Sequence, residues 1–175
     1  AAGDVYVALA GARHHGADFI ADAVRAGARA VLADGDHPAL KDCKVPVHVV
    51  PGLRGLLGTL ADQWYGQPSA SMTVIAVTGT NGKTSTVQWI VRALNDAGRR
   101  AGGIGTLGVN WPDGALCTGS LPTPDVLSIH RTLAAMRDAG AEFVALEASS
   151  IGVVQGRLDG VRVALAAFTN LSRDH

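Results

Sequence analysis

The sequence predicts an α/β protein: a small N-terminal α/β domain followed by part of a P-loop, parallel-sheet ATPase domain. Three observations lead there. Apolar β-rich runs alternate with stretches of helical periodicity through the 175 residues, the pattern of parallel strands joined by crossover helices. Gly66-Gln67-Pro68-Ser69 interrupts that pattern and divides the chain into residues 1–69 and 70–175. Just beyond it, a β-rich run leads into Thr78-Gly79-Thr80-Asn81-Gly82-Lys83-Thr84 and then a helical stretch, the strand–turn–helix setting of a phosphate loop.

In the first part, Val5 to Leu9 reads as a short strand between Gly3 and Gly11. Asp18 is placed to cap a helix reaching about Gly27, with Phe19, Ile20, Ala23 and Val24 on one face. Ala30 to Ala33 is a second strand. Val45 to Val50 is a third, and Pro46 marks it as an edge. Leu53, Leu56, Leu57, Leu60 and Trp64 recur at helical spacing, and this stripe is expected to be core. In the second part, Thr73 to Val77 is a strand, and a helix runs from Lys83 to about Asp96, ended by Gly98. Gly102 to Gly105 is a short strand. Pro122-Thr123-Pro124 is a loop, Asp125 to Ala139 a helix stopped by Gly140, and Phe143 to Leu146 a strand ending at Glu147. Val161 to Phe168 is a last strand, ending at Thr169-Asn170.

Composition narrows the class. With 47% hydrophobic and 17% charged residues the chain can bury a core, which argues against disorder. Lys+Arg and Asp+Glu are both 15, so there is no basic excess of the kind nucleic-acid or membrane surfaces carry, and anion binding must be local. The apolar runs fall short of the ~20 residues of a membrane span, and no signal-peptide pattern opens the chain. A cytoplasmic monomer is the expectation. Cys43 and Cys117 lack CxxC spacing and read as free thiols. Both ends read as internal, so the chain is expected to be a fragment.

The phosphate loop is the sharpest signal. Its glycines let successive N–H groups turn inward toward phosphate oxygens, and the helix N-terminus adds partial positive charge. Lys83 is expected to reach the β- and γ-phosphates and the Thr84 hydroxyl to bind Mg²⁺. The motif departs from GxxxxGK[ST], because Val77 stands where that pattern has its first glycine. The departure argues against an ordinary GTPase or kinase. No switch-type Asp-x-x-Gly follows a strand; Asp113-Gly114 is a turn. Glu147, at the carboxyl end of a parallel strand beside the loop, reads as a Mg²⁺ ligand.

TGTNGKT after a strand resembles the Mur ligase and folylpolyglutamate synthase superfamily. Further blocks resemble the MurE branch in order: Gly3 to Ala10, Gly105-Thr106-Leu107-Gly108, Leu121-Pro122-Thr123-Pro124-Asp125, Leu146-Glu147-Ala148-Ser149-Ser150, and Phe168-Thr169-Asn170-Leu171-Ser172-Arg173-Asp174-His175. Two positions depart from the family pattern. Ile151 stands for a His, and Pro122 for a Thr.

The resemblance implies an ATP-dependent ligase of peptidoglycan synthesis. It would add meso-diaminopimelate or L-lysine to UDP-N-acetylmuramoyl-L-alanyl-D-glutamate through an acyl phosphate, with the N-terminal domain binding the nucleotide sugar. Lys83, Glu147 and His175 would be catalytic; Thr78, Gly79, Thr80, Asn81, Gly82, Lys83, Thr84 and Ser85 would hold ATP; Thr84, Glu147 and His175 would bind metal. Thr123, Pro124, Ser149, Gln155 and Arg157 would contact the substrate, and Arg13 and His14 would face the uridine diphosphate. His14-His15 lacks a third ligand for a metal site. His37, His48 and His130 receive no role. The carboxyl-terminal ligase domain would lie outside this chain, leaving the fragment inactive alone. The alternatives are a sister ligase such as folylpolyglutamate synthase, or a non-catalytic nucleotide-binding module.

Overall fold

The computed structural model describes residues 3–11, 14–117 and 122–172. The chain forms two compact units, Ala1–Leu56 and Leu57–His175. The first is a three-stranded parallel sheet of β1 (Val5–Ala8), β2 (Ala30–Ala33) and β3 (Val47–Val49), in that order. Between β1 and β2 lie a 3-10 turn at Gly16–Phe19 and α1 (Ile20–Arg25). Ala8, Ala17, Ile20, Val31 and Ala33 form the core, with Tyr6, Val24 and Val47 against it. The expected cap at Asp18 is corrected: His15 caps instead. Its Nδ1 accepts from the Ala17 N–H at 3.0 Å, and the Asp18 carboxylate accepts from the His15 N–H at 3.2 Å, a capping box one turn earlier than expected. The strand expected over Val45 to Val50 forms only at Val47–Val49, on the edge as Pro46 requires.

α2 (Leu53–Trp64) spans the boundary between the units. It buries Leu53, Leu57 and Ala61, while Leu56, Leu60 and Trp64 are exposed. The expected core stripe is therefore half right. One i, i+4 row is buried, and the neighbouring row, ~100° round the helix, faces outward.

The second unit is a six-stranded sheet in the order β7-β6-β5-β8-β4-β9. β4 (Thr73–Thr78), β5 (Ala101–Gly105), β8 (Phe143–Glu147) and β9 (Val163–Phe168) are parallel; β6 (Gly108–Asn110) and β7 (Leu116–Cys117) extend the β5 side as antiparallel hairpins. α3 (Lys83–Asp96), α4 (Val126–Asp138) and the short α5 (Ser150–Val154) complete it. The period of two along β4 feeds two cores. Val74 and Ala76 pack with Ile104, Ile129, Leu133, Met136 and Leu146. Ile75 and Val77 pack with Val87, Val91 and Ala145 on the other face. Burial on both faces explains why β4 and β8 read as continuous apolar runs, whereas the equally apolar β9, at the sheet edge, is largely exposed. β6, β7 and α5 were not expected, being two to five residues long.

At the amino end of β8, Arg99 donates to Glu142 at 2.9 and 2.5 Å and lies 4.9 Å from the centre of the Phe143 ring. The Arg99 hydrogen bond, helped by the Arg100 N–H, holds the Glu142 carboxyl below its ordinary value. A lowered folded value stabilises above the unfolded carboxylate range and is lost as pH falls through it. Glu142→Gln is therefore expected to reduce the drop in melting temperature between about pH 6 and about pH 3. In the core, Leu133 is fully buried. Leu133→Ala is expected to lower the unfolding free energy by about 2–5 kcal/mol, and loss of the exposed Trp89 side chain to change it by less than about 0.5 kcal/mol. Denaturant midpoints measure both.

Candidate functional site

The parallel register delivers three strand ends to one edge of the sheet. Val77 of β4 pairs with Glu147 of β8 and with Ala167 of β9, and Thr78 pairs with Phe168. The loop 79–82 leaves β4 at that edge, and α3 starts at Lys83. Gly82 is the N-cap at φ 82°, with no side-chain cap and no acid in the first turn, so among the described residues the only carboxylate at the positive helix end is Glu147 of β8, which accepts from the Thr84 hydroxyl.

Lys83 curls over the loop. Its Nζ donates to the carbonyls of Gly79 at 2.6 Å and Thr80 at 2.9 Å. The segment after β9 clasps the loop from the other side. The Asn170 side chain accepts from the Asn81 N–H at 3.2 Å and donates to the Asn81 carbonyl at 3.0 Å. Thr169 Oγ1 donates to the Asn81 carbonyl at 2.7 Å, and Thr80 Oγ1 donates to the Ser172 carbonyl at 3.0 Å. A Cβ on Gly79, whose φ is +127°, would meet Thr169 Oγ1 at 2.1 Å, so the clasp needs glycine there.

Glu147 is 2% exposed, and both of its carboxylate oxygens accept hydrogen bonds. Oε1 accepts from the Thr84 hydroxyl at 2.9 Å and the Thr106 N–H at 2.8 Å; Oε2 accepts from the Thr106 hydroxyl at 3.1 Å. Thr84 Oγ1 and the Glu147 oxygens form a hard oxygen donor set of the type Mg²⁺ prefers. Among the described residues no group of three or more His, Cys, Asp or Glu side chains could hold a metal ion. His175 lies outside the described residues, as does Arg13.

The residues expected at the substrate also come together at this edge. Thr123 is fully buried, and its hydroxyl donates to the Glu147 carbonyl at 2.8 Å and accepts from the Ser149 N–H at 3.0 Å. That hydroxyl holds the loop against the end of β8. Ser149 caps α5, its Oγ accepting from the Gly152 N–H at 3.1 Å. Arg157 donates from Nη1 to the Thr123 carbonyl at 2.6 Å, and from Nε and Nη2 to Gln155 Oε1 at 3.0 and 2.7 Å. Pro124 precedes Asp125, the N-cap of α4. Ser85 and Asn81 are exposed. His14, in the first unit, stands edge-on to Phe19 with centroids 6.1 Å apart.

Three contributors carry no role in the sequence reading. Thr106 spends both its N–H and its hydroxyl on Glu147; Thr169 and Asn170 clasp the loop. The signal for each was its position directly after an apolar strand at the loop-bearing edge.

A phosphate loop between parallel strands, a lysine at the helix start and a buried carboxylate beside it define a P-loop-type nucleotide-binding α/β protein. Comparison with known proteins takes this further. The Mur ligase middle domain matches residues 77–175, and the Mur ligase family catalytic domain matches residues 1–65. The chain belongs to the Mur ligase family. It is 51% identical over 175 residues to the UDP-N-acetylmuramoyl-L-alanyl-D-glutamate–2,6-diaminopimelate ligase of Xanthomonas campestris pv. campestris (strain 8004), across 99% of this chain and 35% of that protein. It is 46% identical to the ligase of the same name from Alkalilimnicola ehrlichii, across 99% of this chain and 36% of that one. A solved structure of a ligase of that name superposes with TM-score 0.75 at 31% identity, covering 99% of this chain and 35% of its own. MurF ligase from Thermotoga maritima in complex with ADP superposes with TM-score 0.64 at 25% identity, covering 97% and 35%. The chain thus spans about a third of the length of these relatives.

Gly105 supplies a test. A Cβ there would fall 2.2 Å from Glu147 Oε1. Gly105→Ala is expected to displace the carboxylate and weaken ATP binding about tenfold to a hundredfold, by loss of about 1.5–3 kcal/mol of charge-assisted bonding. Titration calorimetry with and without Mg²⁺ measures it.

Proposed function

We propose that this chain is the nucleotide-binding part of an ATP-dependent ligase that joins 2,6-diaminopimelate to UDP-N-acetylmuramoyl-L-alanyl-D-glutamate in peptidoglycan synthesis. The observation that carries the reading is the convergence of Lys83, Thr84 and Glu147 at one sheet edge, in a chain about half identical to ligases of that name. Residues 1–69 would hold the nucleotide sugar, with Arg13 and His14 facing the diphosphate, and residues 70–175 would hold ATP. Use of ATP and of a nucleotide-linked substrate supports a cytoplasmic setting. Among the described residues no helix is long and apolar enough to cross a membrane.

Thr78 to Ser85 line the phosphate site, with the Thr80 and Asn81 N–H groups held by Asn170 and the Gly82, Lys83 and Thr84 N–H groups at the α3 N-terminus left to face the phosphates. Lys83 exchanges its carbonyl partners for phosphate oxygens and neutralises charge on the transferred group. Thr84 and Glu147, with His175, are the protein groups that would hold Mg²⁺, which supplies charge neutralisation at the phosphates when bound. Thr106 keeps the Glu147 carboxylate in place. Gln155, Arg157 and Ser149 orient the dipeptide so that its carboxylate oxygen faces the γ-phosphorus in line with the leaving oxygen. A C–O–P bond forms as the bond to ADP breaks. The incoming amine then displaces phosphate to give the amide. Little covalent work falls to the protein in such a transfer; positioning and charge carry it.

The full-length protein is expected to release phosphate from ATP only when Mg²⁺, the UDP-linked dipeptide and diaminopimelate are all present. L-Lysine in place of diaminopimelate is expected to support little release. Lys83→Met should lower kcat by about 10²–10³, the loss that follows removal of one transition-state charge partner. Release without the dipeptide, or none with either amino acid, would overturn the assignment.

A further inference from the structure

His130 has no place in the site described so far, yet it is fully buried. Its Nε2 lies 2.9 Å from the carbonyl oxygen of Asp159. A carbonyl can only accept, so Nε2 carries the hydrogen and donates. Its Nδ1 faces Asp62 Oδ1 of α2 at 3.8 Å, within ion-pair range but beyond hydrogen-bond reach, and neither atom has a hydrogen-bond partner among the described residues. A leucine would fill this position but would leave the Asp159 carbonyl without its donor, so packing alone does not call for histidine. The specific gain is the bond to Asp159.

That bond anchors the turn that carries Arg157. The Asp159 N–H reaches the Gly156 carbonyl at 3.1 Å, and the Arg157 N–H reaches that of Gly152 at 2.9 Å. Leu158 packs on the α4 core. The turn also presses on α2, where a Cβ on Gly58 would meet Asp159 Cβ and O at 2.4 Å. Clamped between Gly58 and His130, the turn presents Arg157 to the Thr123 carbonyl, and Thr123 in turn bonds the Glu147 carbonyl.

We propose that His130 is a positioning residue. Its buried N–H fixes the Gly156–Gly160 turn and so aims Arg157 at the anionic group of the dipeptide substrate. The substrate part of this inference rests on the ligase reading above; the anchoring part does not.

The test uses the full-length protein with His130→Leu, which keeps apolar volume and removes the donor, and His130→Gln, whose amide N–H can replace Nε2. Amide exchange at residues 157–160, melting temperature, and KM for the UDP-linked dipeptide and for ATP are read together. His130→Leu is expected to speed exchange in the turn about tenfold and to raise the dipeptide KM about tenfold. The ATP KM should stay within about twofold. His130→Gln should restore both. Unchanged exchange in His130→Leu would overturn the proposal. So would an equal rise in both KM values, or a His130→Gln protein with wild-type melting but the leucine phenotype. If the wild type shows no ligase activity, the functional reading fails while the exchange measurement still decides the anchor.

Discussion

The parallel pairing of β4 with β8 on one side and β9 on the other is the constraint on which the site depends. It sets Val77 beside Glu147 and Thr78 beside Phe168, so that loop, carboxylate and clasp leave the sheet at the same height. A slip of one residue would turn Glu147 to the other face and exchange the two hydrophobic cores. The alternation of Val74 and Ala76 against Ile75 and Val77 resists that slip, because each pair has its own partners on its own face. Packing in the sheet therefore secures the geometry of the chemistry at its edge.

Burial of Glu147 imposes a second demand. A buried carboxylate without partners is costly enough to be avoided in folded proteins. Here three donors from two threonines meet it, and Gly105 leaves the space it occupies. One of those donors, Thr84, belongs to the phosphate loop. The carboxylate is thus held by Thr106 and joined to the loop-bearing helix by Thr84. Both threonines act on the same carboxylate, so the effects of truncating them on its placement should not add.

Strands and helices of the second unit were legible because long apolar runs and helical periodicity are strong signals. The placement of the loop after β4 and of Glu147 at the end of β8 was legible because of where they fall along those runs. What escaped depends on distance in space. Nothing local marks Thr106 as the partner of a residue 41 positions later. Nothing in the α4 pattern marks His130 as more than a core position, since its role lies in a carbonyl 29 residues away. The capping role of His15 was hidden because Asp18 is the better-known cap type, and the aspartate does take part, as the second half of the box. Leu56 and Leu60 misled because leucine spacing cannot tell which of two adjacent helical rows is covered.

Departures from the family pattern fall where this architecture can absorb them. Ile151 is 64% exposed at the start of α5. The bonds that hold α5 in place come from Ser149, through its cap on Gly152, and from Thr123 behind it. A side chain pointing out of that network can change without moving Thr123, Arg157 or Glu147. Pro122 is likewise a neighbour of the network, while the hydroxyl and carbonyl that serve it belong to Thr123. An exposed isoleucine in place of an imidazole removes two ring nitrogens from the surface beside Ser149 and Gln155, and with them a donor and an acceptor. The change falls on the exposed surface of α5, while the loop 79–82 lies between β4 and α3 and is clasped by the segment after β9.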